Sequence, residues 1–389
     1  MVLDEMALPA SVEVRPSRRR DGKTSADIVF CRGFCYFCAR RPGLSLTCQK
    51  SCLALAPAVE KGSSQHFSPS NMPGAYAHIT LVNLAKEPER LEAASVPVAA
   101  VDAIRSHFRC CELGALSPDY PYLQLRSAQS KRWADLFHCE QTGEPIRLGI
   151  RLARTMQSEQ QAALVAWLMG YAAHIVADLT IHPVIEMRVS ASAFNAMAHR
   201  RCELHQDAYI FQRLHPDESA RARHLGSGVL DRTIINSWHR ILSECHPEEY
   251  RRNRPDIDAW HSGFKWAVDA AETGSRMPRL ARSVAVNCGL AYPTIDSIDA
   301  SFIRKLDTPD GRMDYDELFD KALANIGAMW RAIGQAVFED CVVREAVIGD
   351  WNLNTGMNER GMYAFWPNQP PRPAFHRPAE APAVSAGLA

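Results

Sequence analysis

The chain has 389 residues, 47% of them hydrophobic, which suffices for one large domain or two ordinary ones with a real core. Lys+Arg and Asp+Glu both number 44, so the formal charge is zero. That balance excludes the basic excess expected of a general nucleic-acid binder.

Residues 1–71 read unlike the rest. They carry Arg18-Arg19-Arg20, clusters of Ser and Pro, and no sustained helical period. Such a stretch cannot bury enough apolar surface to order itself. It is expected to be a disordered extension, or sequence upstream of a start at Met72. Five of the twelve cysteines lie here (Cys31, Cys35, Cys38, Cys48 and Cys52), but their C-x3-C-x2-C-x9-C-x3-C spacing is not a zinc-finger pattern. The other seven are scattered, with no disulfide framework. Scattered thiols and the lack of a signal peptide lead to the expectation of a cytoplasmic protein.

From residue 72 to 366 the pattern is helical. Helices are predicted over Glu87–Phe108, Ser158–Ile181, Ala191–Leu214, Asp256–Ala271 and Tyr315–Asp340 from apolar residues at three- and four-residue spacing. Ser158 and Asp314 serve as start signals. Asn71-Met72-Pro73-Gly74 and Ser117-Pro118-Asp119 read as turns. The run Gln161–Ile181 has no Lys or Arg and is long enough to span a bilayer. It carries His174 and Asp178, however, which are costly in lipid, so it is expected to be a buried central helix and no transmembrane segment is expected. Residues 367–389, Pro- and Ala-rich from Pro370, read as a flexible tail. The fold class predicted is all-α, a multi-helix bundle.

Within the central run stands His174-x3-Asp178-x3-His182. Four helical residues advance about 400°, so the three side chains share one face. Imidazole nitrogen and carboxylate oxygen are zinc-type ligands. A buried hydrogen-bonded His/Asp pair would use the same spacing, but a second His on the face argues against it. Pro183 is expected to end the helix and leave His182 at its rim. A second i, i+4 pair, His199-x3-Glu203, follows, with His205 and Asp207 as candidates for orienting the ligands. Gly74-Ala-Tyr-Ala-His78, the Asp119 of Ser117-Pro118-Asp119, and Trp133-Ala-Asp-Leu-Phe-His138 add weaker candidates.

Together these strings resemble the zinc-dependent phospholipase C family, whose fold is shared by fungal single-strand nucleases. The order His78, Asp119, His138, His174-x3-Asp178, His182, His199-x3-Glu203 is the family's ligand order. The resemblance implies two or three Zn2+ ions buried in the helical bundle. His138, His174 and Asp178 would hold one, and His182, His199 and Glu203 a second. His78 would hold the third with Asp178 bridging, and Asp119 would be the general base or water-orienting carboxylate. In the family the third site is completed by an N-terminal Trp, which is not found here. Pro73-Gly74-Ala75-Tyr76-Ala77-His78 nevertheless has the nuclease spacing, and a terminus at Pro73 would present a secondary amine.

The implied activity is hydrolysis of a phosphodiester, with a phospholipid or a small soluble phosphodiester as substrate. Tyr76, Tyr120, Tyr122 and Trp133 are candidates to line its pocket, or else ordinary core. The alternatives are a single-strand nuclease, which the neutral charge disfavours, and a non-catalytic helical protein stabilised by zinc. Trp351-Asn-Leu-Asn-Thr-Gly356 also resembles a family string, without a chemical role to assign. The sequence does not specify an oligomeric state.

Overall fold

A computed structural model describes residues 27–31, 34–38, 74–124, 127–189, 195–212, 230–275, 292–339, 341 and 347–366. The expectations for the rest of 1–71, for a terminus at Pro73 and for the tail 367–389 lie outside these residues. The chain divides into two units, Met1–His66 and Phe67–Ala389. In the first, strands β1 (Asp27–Cys31) and β2 (Phe34–Cys38) pair antiparallel, with Asp27 opposite Cys38 and Cys31 opposite Phe34. Neither strand was expected. Both are short runs of β-branched and aromatic residues on either side of Arg32-Gly33, a composition that suits a hairpin.

The second unit is helical, as the periodicity requires. In chain order its elements are α1 (Ala75–Ala85), α2 (Pro88–Ala93), α3 (Val98–Ser106), α4 (Phe108–Leu116), a 3-10 turn (Ser117–Asp119), α5 (Tyr120–Leu123), α6 (Ala128–Cys139), α7 (Glu144–Ala153), α8 (Ser158–Val189) and α9 (Asn195–Phe211). Then come α10 (Arg232–Cys245), α11 (Pro247–Arg252), α12 (Ile257–Ser275), the small hairpin β3 (Leu306–Thr308) with β4 (Gly311–Met313), and α13 (Tyr315–Phe338). The helix expected over Glu87–Phe108 is broken. Ser95 has φ 54° and Pro97 is the N-cap of α3, where a residue that cannot donate into a running helix is tolerated.

Helix α8 is the axis. Every residue from Ala163 to Ile185 is buried, so the helix is apolar all round except for the residues that share the His174 face and Thr180. By length and composition it could cross a membrane, yet its most apolar window lies wholly inside the protein. Helix α4 packs most closely against it, with α13, α3 and α7 around the remainder. Gly114 and Gly170 allow that closeness: a Cβ on Gly170 would fall 1.9 Å from the Cys111 carbonyl oxygen, and one on Gly114 2.1 Å from that of Trp167. Buried indoles are tied down, Trp330 Nε1 donating to the Met169 carbonyl and Trp167 Nε1 to Ser117 Oγ. Helix α13 opens with a capping box in which Asp314 and Glu317 satisfy each other's backbone N–H groups.

One expectation about α8 is corrected. The helix does not end at Pro183; it runs on to Val189. Proline removes one backbone hydrogen bond and crowds the carbonyl of Leu179 four residues back. Burial of the surrounding turn offsets that cost, and Gly356 lies directly over Pro183 and the Leu179 carbonyl.

Candidate metal centre

All eight residues singled out by spacing converge on one buried locus: His78, Asp119, His138, His174, Asp178, His182, His199 and Glu203. Helix α8 supplies the inner face through His174, Asp178 and His182. The other residues close on it from α1, the 3-10 turn, α6 and α9. Asp178 is central. Its Oδ1 lies 3.4 Å from His78 Nε2 and 3.5 Å from His182 Nε2, and its Oδ2 lies 3.2 Å from His174 Nε2 and 4.0 Å from His138 Nε2. Asp119 Oδ1 is 3.2 Å from His138 Nε2 and 3.8 Å from His174 Nε2. Glu203 Oε1 is 3.0 Å from His199 Nε2 and 3.4 Å from His182 Nε2. Three groups of possible donors result: His78–His174–Asp178, Asp119–His138–His174 and His182–His199–Glu203.

Four of the five imidazoles are held by the nitrogen that faces away from this locus. Nδ1 of His138 contacts the Ala134 carbonyl at 2.8 Å, that of His174 the Ala115 carbonyl at 2.9 Å, and that of His182 the Leu353 carbonyl at 2.8 Å. His199 Nδ1 contacts Glu186 Oε1 at 2.8 Å. A carbonyl only accepts, so Nδ1 carries a proton in the first three and Nε2 is the nitrogen that faces inward. His78 is placed instead by stacking on the His174 ring, centroids 4.0 Å apart.

The Trp351–Gly356 string now has a structural role. The Leu353 N–H donates to the His138 carbonyl at 2.7 Å while the Leu353 carbonyl receives the His182 proton, so one residue braces two candidate ligands. Thr142 Oγ1 donates to the Trp351 carbonyl and accepts its N–H, fixing the string to the α6–α7 turn. Gly356, at φ +69°, turns the chain back over Pro183.

The charges respond to this crowding. Burial would pull His174 down, but Asp119 and Asp178 more than reverse that and lift it to about 9. Burial likewise opposes the proton on His199, and Glu203 with Glu186 raises it to about 10. His182 is raised in the same way, chiefly by Asp178. Burial and the neighbouring His174 lower His78 to about 4. Burial pushes Glu203 up, yet His199 and His182 bring it to about 2, and Asp178 is held well below the carboxylate range by His182 and His174.

Zinc fits this donor set. Zn–N and Zn–O bonds of about 2.0–2.2 Å in a tetrahedron put neighbouring donors roughly 3.3–3.6 Å apart. The His–carboxylate pairs above run from 3.0 to 4.0 Å, a range that contains that spacing. Several of these atoms are buried without a hydrogen-bond partner: Asp119 Oδ1, His138 Nε2, His174 Nε2, Asp178 Oδ2 and Glu203 Oε2. Orphaned acceptors this deep are costly unless a cation satisfies them. A cavity reaches the locus, lined among others by His78, Asp178, His182, Glu203, Asp207 and Tyr315.

Other candidates settle elsewhere. His205 turns away from the cluster, and its Nδ1 accepts the Asp299 N–H. Asp207 caps α1, accepting the N–H groups of Tyr76 and Ala77 and the Tyr292 hydroxyl, and burial lifts it to about 7. Tyr76, Tyr120, Tyr122 and Trp133 are buried in the core, where Tyr120 stacks on Phe264 and Trp133 meets Phe137 and Trp260. Glu186 escaped the sequence reading because the helix was expected to stop three residues earlier. Its spacing of four from His182 is the signal that could have found it.

A helical bundle enclosing three adjoining His/carboxylate groups, all buried, defines a candidate multinuclear metal protein. Comparison with family models gives a match to zinc dependent phospholipase C over residues 77–265. That match spans just under half of the chain and supports assigning this region to the zinc-dependent phospholipase C family. No curated protein and no solved structure matches it.

Proposed function

We propose that the protein is a zinc-dependent hydrolase of phosphodiesters, acting on a phospholipid or a small soluble phosphodiester. The observation that carries this reading is the set of converging Nε2 and carboxylate atoms, of which Asp119 Oδ1, His138 Nε2, His174 Nε2, Asp178 Oδ2 and Glu203 Oε2 are buried without a hydrogen-bond partner. His78, Asp119, His138, His174, Asp178, His182, His199 and Glu203 are the residues to hold two or three zinc ions. Zinc held there would supply Lewis acidity, lowering the pKa of water towards 7 and drawing charge from a phosphoryl oxygen.

The chain's own residues do the rest. The carbonyls of Ala134, Ala115 and Leu353 keep the rings of His138, His174 and His182 from rotating. Asp178, with an oxygen towards each side, ties the groups together. Asp119 is expected to act as base beside the metals, and we assign it the proton taken from the attacking water. Its Oδ1 also stands 3.2 Å from His138 Nε2 and 3.8 Å from His174 Nε2, which supports a ligating role beside that of base.

Tyr76, Tyr120 and Trp133 are packed into the core and Tyr122 against His138, so none of the four is exposed for a base to stack on. The discriminating experiment compares phosphatidylcholine vesicles, bis(p-nitrophenyl) phosphate and single-stranded DNA with the zinc-loaded protein. Hydrolysis of either of the first two, abolished by chelation and restored by zinc, is the expected result. Cleavage of DNA alone would favour the nuclease, and no hydrolysis of any of the three would favour a structural role for the metal.

A further inference from the structure

The turn of α8 beyond Pro183 brings a fourth polar residue, Glu186, one turn past His182. Its Oε1 sits 2.8 Å from His199 Nδ1, on the opposite side of the ring from Glu203, whose Oε1 is 3.0 Å from Nε2. The other three anchored rings are gripped by backbone carbonyls. The two kinds of grip differ in chemistry. A carbonyl sets the orientation of a ring. A carboxylate does so too, and it also draws on the Nδ1 proton, which makes Nε2 a stronger donor. Only His199, among these four, receives this second effect.

We propose that Glu186 is a positioning residue for the metal position formed by His182, His199 and Glu203, acting through His199 to fix its ring and strengthen its ligating nitrogen. This rests on the reading of those three residues as ligands. It also gives a reason for α8 to run through a proline: the helix must continue to deliver Glu186 to His199. Both Glu186 and His182 stand on α8, so a single rigid element sets the two halves of this position relative to each other.

The test is zinc titration of the demetallated full-length protein, wild type against Glu186→Gln and Glu186→Ala, by calorimetry against a competing chelator. Cobalt spectra and thermal melts of the demetallated forms are recorded alongside. The equivalent belonging to this position is the one lost in His182→Ala. The proposal expects that equivalent alone to weaken by roughly 10–100-fold in Glu186→Ala. Glu186→Gln keeps an oxygen that accepts from Nδ1 but lacks the charge, so it should fall between the two, with an altered cobalt spectrum. The demetallated melts separate the stability lost with the Glu186–His199 contact itself from the loss of zinc affinity. Equal affinities in all three proteins would overturn the proposal. So would uniform weakening of every equivalent with a lowered melt, which marks a merely structural role. Failure of the wild type itself to bind zinc would overturn the underlying ligand reading instead.

Discussion

Each anchored ring of the centre is gripped on one nitrogen and turns the other towards the neighbouring carboxylates, and this decides how the site responds to pH. His174 and His199 sit at about 9 and about 10, above the ordinary 6.5. In the demetallated protein their charged forms are stabilising below pH 6.5, and that stability is lost as pH rises through about 9 and about 10. Glu203, lowered from 4.5 to about 2, acts in the opposite sense: its contribution is present above pH 4.5 and disappears as pH falls through about 2. Zinc competes with those imidazole protons, so its apparent affinity should rise with pH and its uptake should release protons, as calorimetry in buffers of differing ionisation enthalpy would show. Affinity independent of pH would contradict protonated ligands. At the same scale, Asp119→Asn should lower turnover by about 10²–10⁴-fold. If Asp119 ligates as well, the zinc count falls with the turnover; unchanged turnover would remove it from the mechanism. The sequence disclosed these residues because few roles suit His, Asp, His at i, i+4, i+8 in an apolar helix. It could not disclose Leu353, whose contribution is entirely backbone, since no side chain marks a carbonyl.

The elements hold the centre by close approach. The last turn of helix α4 carries Ala115, whose carbonyl anchors His174, and leads directly to Asp119, so its seat against α8 sets two candidate ligands at once. Gly170→Ala would bring a Cβ within 1.9 Å of the Cys111 carbonyl oxygen and force the two helices apart. Overpacking of this kind costs about 1–3 kcal/mol or more. Thermal melting should therefore show a destabilised protein, and zinc analysis a reduced metal content. A fully stable Gly170→Ala with full zinc would mean that the α4–α8 contact does not set the site. Some of this level was legible. The buried α8, the capped start of α13 and the pair on α9 follow from period and caps. The continuation through Pro183 was not, because local rules weigh a proline against one hydrogen bond, whereas burial on every side here outweighs it. Helix α1, which carries His78, is buried on most faces and so shows little of the polar–apolar alternation that identifies a helix in sequence.

For the whole molecule the metal is expected to be part of the fold. Zinc held there would neutralise the polar interior, and its removal would leave carboxylates and imidazoles facing one another in a low dielectric. At free zinc near a thousand times its dissociation constant, binding adds about 4 kcal/mol to stability. That corresponds to a melting shift on the order of 10 °C for a domain of this size. Chelation should lower the melting temperature by this order and zinc should restore it; an unchanged melt would mean that the interior is stable as a network of hydrogen bonds. The helical class was readable from periodicity alone, while the hairpin of residues 27–38 lay hidden in a stretch whose composition suggested no order.

The central claim is that zinc ions bind at the eight converging residues, and native mass spectrometry of the purified protein, before and after acid denaturation, tests it most directly. The account predicts a mass difference of two or three zinc ions, reduced in His182→Ala. A folded protein prepared without chelator that carries no zinc would contradict it and leave the centre as a buried polar network.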